Sequence, residues 1–443
     1  MSDIICGALC RKILWGTSVS GATGCSGSIQ DIPGTVDAGI PDSGVSGGGS
    51  GGNGGAGGIG GSGGIGGVGG IGGFGGEGGS GGVGGGDGGS GICDDKNPSN
   101  SPQIGWLKNQ IGSFGLVDSY EGDGTDRAYL YDQGIAAIAF TQAGEVCETQ
   151  GIFNALTKLQ IKEGNWNTCY SAENGSACES YVHTGPIAWV VMAVNFYEAK
   201  IGDKQFSGIA GNALLWMDTM IVNSGDSSGA LKYGEGYPQI STEHNLDAYS
   251  AYYYRGQKDK AEAIKSYLVK EMWAPSLDSK GPYHNVSVFW RGFEDFAWCT
   301  DPQSWGVLAL GKDYAKSLEW LDTNGGGNGS TKNVKQDVTG FSFCTEDVNP
   351  PNGNNPNFCG KLVVWLEGTE GVAAAFYSVN NKTRGDHYHK QTAQVMAQNG
   401  GIPYSISDAG DPIKWPCNFP YSSVASVSWY YFNEAKINPF RPY

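Results

Sequence analysis

Tyr131-Asp132-Gln133-Gly134-Ile135-Ala136-Ala137-Ile138-Ala139-Phe140 opens on polar groups and then turns apolar on every side. A stretch that is Ala-rich and greasy all round suits a helix with no solvent face. Five more stretches read the same way: Pro186 to Tyr197, Glu243 to Tyr252, Pro302 to Leu310, Glu367 to Tyr377 and Tyr421 to Phe432. Their starts lie roughly 55–65 residues apart, enough for a helical hairpin and a generous loop. Amphipathic partners follow most of them, at 148–160, 205–222, 258–272, 313–321 and 384–398. In 258–272 the apolar residues Ala261, Ile264, Tyr267, Leu268 and Met272 recur at helical spacing. Period-two strand patterns are scarce. Six buried inner helices with amphipathic outer ones predict an all-α (α/α)6 toroid over residues 105–443. An open solenoid is the rival, and six units at near-uniform period favour closure.

In a closed ring the inner helices run parallel and their N-terminal ends meet at one mouth, where the helix dipole favours anionic side chains. Acidic and polar residues sit at those ends: Asp132; Glu243, His244 and Asp247; Asp301 and Gln303; Glu367 and Glu370. Aromatic residues stand beside them in Trp166, Tyr237, Trp290, Trp305, Trp365 and Trp415. Flat rings stack on the apolar faces of pyranoses, while carboxylates grip hydroxyls and act as acid and base. The expected catalytic set is Glu243 as acid, with Glu367 or Asp132 as the second carboxylate and Asp301 as a further candidate. Tyr237, His244, Asp247, Gln303, Glu370 and the five tryptophans are expected to bind substrate. Each has a plainer use. Glu243, Asp132 and Asp301 fit helix capping, and Glu370, a turn deeper, fits an internal hydrogen bond. His244 fits either a partner that orients Glu243 or a buried imidazole. His387 and His389 read as surface residues of an outer helix.

Four motifs carry a resemblance: Ser241-Thr242-Glu243-His244-Asn245-Leu246-Asp247-Ala248-Tyr249, Asp301-Pro302-Gln303-Ser304-Trp305-Gly306, Trp365-Leu366-Glu367-Gly368-Thr369 and Asn438-Pro439-Phe440. They resemble the inner-helix signatures of bacterial six-hairpin glycosidase-like proteins, over roughly residues 105–443. The resemblance implies the (α/α)6 fold and association with carbohydrate. The chain departs from the pattern at Glu370, a second acid after Glu-Gly-Thr.

The chain has 443 residues, with 28 Lys+Arg against 44 Asp+Glu and a net charge of −16. A phosphate backbone would be repelled, so nucleic acid is not an expected partner. No run of 18 apolar residues suggests a transmembrane helix, and the basic pair Arg11-Lys12 follows the first apolar patch instead of preceding it, unlike a secretory signal. The eleven cysteines lack tandem C-x-x-C pairs, which argues against zinc. Cys169 with Cys178 and Cys344 with Cys359 suit local disulfides, with buried free thiols as the alternative; disulfides would place the chain in an oxidising, extracellular, cell-surface or virion setting. No cofactor is implied. The acidic loops 121–126 and 408–411 offer oxygen ligands to Ca²⁺ without the spacing of a known calcium loop.

In residues 47–91, 31 of 45 residues are Gly, and from Ser50 to Val83 every non-glycine falls at a step of three. Three residues per turn is the period of a polyproline-II-like helix, which would carry Ile59, Ile65, Val68, Ile71 and Phe74 on one edge. The register predicts a polyglycine-II-like rod that pairs with other copies of the chain, a disordered spacer being the alternative. Residues 1–46 read as an anchoring cap and 92–104 as a linker. The whole reads as a surface, fibre or virion protein with a glycan-binding, glycoside-hydrolase-like head. A lectin-like adhesin head and a non-catalytic filament subunit are the rivals.

Overall fold

The computed structural model describes residues 99–273, 287–295, 297–322, 331–344, 363–408, 410–411, 413 and 418–442. The chain divides into a unit spanning Met1–Gly82 and one spanning Val83–Tyr443, and all described residues belong to the second. The expected cap and glycine rod, Cys359 and Trp415 therefore lie outside the described residues.

The six apolar stretches are helices, and they are the inner ring: α2 (Leu130–Ala143), α4 (Thr184–Ile201), α6 (Thr242–Tyr254), α8 (Thr300–Leu310), α10 (Leu366–Ser378) and α12 (Val424–Glu434). Each packs on the next, and α12 packs back on α2, so the ring is closed and not a solenoid. Gly134 lets α2 approach α4 closely, since a Cβ there would meet the Trp189 backbone at 3.0 Å.

Closure is also written in hydrogen bonds. The first amides of a helix lack intrahelical acceptors. Here the opening N–H of every inner helix donates to a carbonyl in the loop that enters the following one. The six bonds are Leu130 to Thr168, Thr184 to Tyr233, Thr242 to Arg291, Thr300 to Phe343, Leu366 to Tyr404 and Val424 to Ser119, at 2.8–3.1 Å. The last returns to the loop before α2. The chain of donors is thus a circle.

Outer helices α3 (Val146–Leu159), α5 (Ser207–Thr219), α7 (Lys258–Tyr267), α9 (Lys316–Asp322) and α11 (Lys382–Ala393) match the five amphipathic segments. The sixth outer partner comes from the other end of the domain. The helix α1 (Pro102–Asn109) packs on α12 and α2 through buried Ile104, Trp106 and Leu107. Its eight residues hold too few turns for a clear apolar stripe, which is why periodicity did not register it.

The all-α expectation needs one correction. Short strands decorate the loops: β1 (Tyr120–Glu121) with β9 (Ser422–Ser423), and β2 (Arg127–Tyr129) with β3 (Cys169–Ser171) and β4 (Ala177–Glu179). A four-stranded antiparallel sheet runs β5 (Lys332–Lys335), β6 (Val338–Phe341), β7 (Val364–Trp365), β8 (Ser405–Ile406). At two to four residues each, they are too short for period two to show. The pairing of Tyr120 and Glu121 with Ser423 and Ser422 also moves the start of the sixth inner helix from residue 421 to 424.

The Cys169–Cys178 disulfide clips β3 to β4 as expected. Cys344, however, bonds Cys299 and not Cys359. Cys299 caps α8 and faces Cys344 across an antiparallel bridge, so the tertiary fold outranks sequence proximity. Among the described residues no helix is long and apolar enough to cross a membrane.

Candidate functional site

The six N-caps are Tyr129, His183, Ser241, Cys299, Trp365 and Ser423. Two residues on from them come Tyr131, Gly185, Glu243, Asp301, Glu367 and Ala425; six residues on come Ile135, Trp189, Asp247, Trp305, Gly371 and Trp429. Parallel helices closed into a ring turn these two sequence offsets into two stacked layers around the axis. The upper layer carries three acids and a tyrosine. Half of the lower layer is tryptophan.

The lower layer stoppers the ring. Trp305 stacks on Trp429 at 5.8 Å between centroids, and Trp189 meets both edge-on at 5.5 and 6.1 Å. Phe440 lies 5.2 Å from Trp189 and 5.4 Å from Trp305. Its tail is tied by Asn438 to the Leu308 carbonyl near the C-terminal end of α8. Trp305 is therefore a filled core position with 2 % exposure.

In the upper layer the Tyr131 hydroxyl donates to Glu367 Oε1 at 2.5 Å and accepts from the Trp429 indole at 2.8 Å. Asp132, Asp301 and Glu367 retain only 4, 7 and 5 % exposure, and Asp247 one turn below retains 1 %. Glu243 is the most open of the five. Burial raises the pKa of each. Asp132 rises to about 7, with Asp118 adding to the effect and the Ser119 hydroxyl opposing it. Glu367 is raised by burial and by the charges of Asp132 and Glu243, against the Tyr131 hydrogen bond. Asp301 is raised well above its ordinary range by burial and by Glu243, Glu367 and Asp247. Asp247 is raised by burial and Glu243, and Glu243 chiefly by burial. Carboxyls from four different inner helices thus share one field, as a common mouth requires. Tyr404 lies in it too: burial, then Tyr120, Glu367, Asp132 and Asp301, push its phenol up.

His244 is 5 % exposed. Its Nδ1 lies 3.2 Å from the Tyr233 carbonyl, an acceptor only, so this nitrogen carries the proton and Nε2 is left with the lone pair. The ring lies over Tyr233 at 4.1 Å. It also crosses Gly185, where a Cβ would stand 2.4 Å from His244 Cδ2, so glycine is required there. His183 sits between Tyr233 at 4.7 Å and Tyr237 at 5.4 Å, with Tyr181 stacked at 5.7 Å. Burial lowers His183 to about 4; burial and His183 lower His244 to about 3, so both imidazoles are neutral at ordinary pH.

Other expected site residues are placed elsewhere. Gln303 is a clamp: it accepts from the Phe289 amide and donates to the Phe289 and Cys299 carbonyls at 2.8–3.0 Å. Gln133 does the same to Val117 and Tyr129, and Asn245 to Leu231 and Ser241. Trp166 is fully buried with its indole N–H on the Leu156 carbonyl of α3, so it closes a hairpin and presents no face to a ligand. Trp290 stacks on Trp298 at 5.9 Å, and Trp365 on Phe343 at 4.4 Å.

Glu370 points outward. Its Oε2 meets His389 Nδ1 at 2.9 Å and the Asn433 amide at 2.6 Å. His389 reaches Glu434 with its other nitrogen at 2.8 Å and stacks on Tyr430, so it is a largely buried bridge and not the expected surface residue. Burial alone would lower its pKa; Glu370 and Glu434 prevail and raise it to about 9. A shallow hollow of about 450 Å³, lined by Ser101, Gln103, Tyr430 and Glu434 among others, opens at that opposite end of α12, away from the mouth. It lacks the clustered acids that a reaction centre needs.

Tyr131, His183, Tyr181 and Tyr404 were not singled out from sequence. Aligning the six helices on their caps would have found Tyr131, which shares the offset of Glu243, Asp301 and Glu367. Among the described residues no group of three or more His, Cys, Asp or Glu is arranged to hold a metal ion. In the acidic loop, Asp123 accepts from Thr125 and Asp126 from Ser171.

No sequence-family model matches the chain. No curated protein matches it either. Solved structures do match in shape. A wild-type glycosidase aligns with a TM-score of 0.55 at 9% identity, over 76% of this chain and 95% of its own. A D-mannose isomerase aligns with a TM-score of 0.53 at 12% identity, over 76% and 95%. A bacterial glucoamylase complexed with acarbose gives 0.55 at 15%, over 77% of this chain and 56% of its own. By fold, the chain is an (α/α)6 toroid, similar in shape to these solved structures.

Proposed function

We propose that residues 105–443 form a glycan-handling head whose reaction is hydrolysis of a glycosidic bond by paired carboxyls. The observation that carries this reading is the meeting of Glu243, Asp301 and Glu367, from α6, α8 and α10, in one shared field above an aromatic floor. Glu243, raised by burial, holds a proton near neutral pH and delivers it to the leaving glycosidic oxygen. Glu367 is the second carboxylate. The Tyr131 hydroxyl fixes one of its oxygens and opposes the rise of its pKa to about 8, leaving the other oxygen of the ionised fraction to activate water or attack the anomeric carbon. Asp301 and Asp132 keep the pair's protons in play by disfavouring further ionisation. The glycosidase and glucoamylase likenesses agree with a sugar-handling head.

A binding-only, lectin-like head is favoured by one observation, the deep burial of Asp132, Asp301 and Glu367. A glycan array run beside a reducing-end release assay on the full chain separates the two. Release that disappears in Glu243→Gln while binding persists supports hydrolysis. Binding without release by the wild type sinks it.

The finer proposals concern the rest of the chain. The step-of-three register motivates a glycine rod that joins copies through 47–91, with 1–46 as its anchor and an extracellular surface, fibre or virion as its setting. The disulfides suit an oxidising compartment. Deleting 47–91 should yield a monomer by light scattering; oligomers that survive the deletion overturn the rod.

A further inference from the structure

The mouth gathers Asp132, Glu243, Asp247, Asp301 and Glu367, and among the described residues no ion pair reaches any of them. Among the described residues, three cations on the surrounding loops are committed to other acids. Arg291 holds Asp295 at 2.6 Å, Lys335 holds Asp408 at 2.7 Å, and Arg127 faces Glu179 at 3.8 Å. The nearby imidazoles, His183 and His244, are neutral and bring no charge. Asp132 and Asp301 also keep a buried Oδ1 with no hydrogen-bond partner, the Ser119 hydroxyl being the one side-chain donor to Asp132, and Asp247 has the Trp189 indole alone. Buried polar atoms are normally satisfied, and an unpaired carboxylate oxygen costs more than most.

A ligand that completes this site must supply hydrogen-bond donors and positive charge together. A uronic acid or sulfated sugar adds an anion that holds these carboxyls in their protonated form. A neutral sugar supplies hydroxyl donors and gives no carboxyl a counter-charge to ionise against. A protonated amine supplies three donors and one positive charge, and charge-assisted bonds to carboxylate are the stronger kind.

We infer that the mouth takes glycans bearing a free, protonated amino group and rejects acidic ones. This rests on the glycan-head reading above and narrows its substrate class. Because burial keeps the carboxyls protonated when the mouth is empty, the amine lets one ionise, and its binding releases a proton to solvent.

The test is titration calorimetry on the full chain with methyl glycosides in the gluco, galacto and manno series, each as free amine, N-acetyl, neutral and uronic acid forms. In at least one series the free amine should bind at least about tenfold more tightly than the neutral sugar. N-acetylation should remove the gain, the uronate should not bind, and proton release should accompany the amine alone. Asp247→Asn should bring the amine close to the neutral value, and an amine gain that survives in this variant overturns the inference. Equal binding of amine and neutral sugars, or preference for the uronate, overturns the inference and leaves a glycan head in place. Binding by none of the sugars overturns both.

Discussion

Two sets of polar residues lie almost side by side on the same inner helices and have opposite fates. Gln133, Asn245 and Gln303 spend both ends of their amides on backbone groups of the preceding segment. Asp132, Asp247 and Asp301, one or two residues away, each keep a buried oxygen unbonded. The first set pins three of the six entering loops to α2, α6 and α8. The second sits beside them with few donors, the Ser119 hydroxyl for Asp132 and the Trp189 indole for Asp247. A structural polar group is saturated by the fold, whereas a functional one is kept open at a cost in stability that the saturated neighbours offset.

The contrast should appear most strongly in activity. Glu243→Gln and Glu367→Gln each keep side-chain shape and lose proton transfer, so turnover should fall about 10²- to 10⁴-fold while the melting temperature at neutral pH holds or rises. In the wild type the two carboxyls titrate as a coupled pair, and the pH–rate profile should be a bell. Its acid limb reflects protonation of the base, and its alkaline limb loss of the acid's proton.

Next comes the sign of a stability change. Asp132 rises from 3.8 to about 7 on folding, so the folded chain binds its proton more tightly than the unfolded one. Its contribution is therefore fully present below pH about 4 and is lost as pH rises through about 7. Asp132→Asn should match the wild type near pH 4 and exceed it above pH 7 by up to about 4 kcal/mol in urea melts. An equal or smaller stability at pH 8 would mean that Asp132 is well solvated in the folded chain.

The amide set should answer the other way. Gln303→Ala strands the Phe289 amide and two carbonyls in the core and should cost about 3 kcal/mol at every pH. A clamp variant that left stability intact but weakened sugar binding would return Gln303 to the binding set.

Much of the ring was legible in the chain. Apolar, Ala-rich stretches at a near-constant spacing can bury all their faces only by packing on one another, and the five amphipathic segments followed from their stripes. The sixth outer helix was not legible, because α1 stands at the opposite end of the domain from the helix it completes. The strands escaped because each is only two to four residues long.

The site was half legible. Acids at helix starts could be read as a mouth, but Tyr131 was invisible as a partner of Glu367, 236 positions away. Gln303 and Trp166 looked like ligand contacts because a polar or aromatic residue near a helix start reads the same whether it faces a cleft or a loop. Glu370 shares a helix with Glu367 but lies one turn deeper and meets His389 and Asn433, partners supplied by the neighbouring helices α11 and α12.

Periodicity and composition thus specified the helices, their number and the end at which the acids gather, because burial and the helix dipole act through local pattern. Which of those acids are bonded, which are left open, and which cysteine meets Cys299 depended on loops folding back across long sequence separations. Those contacts form only once the ring has closed, when the unpaired amides of one helix find the carbonyls of its neighbour.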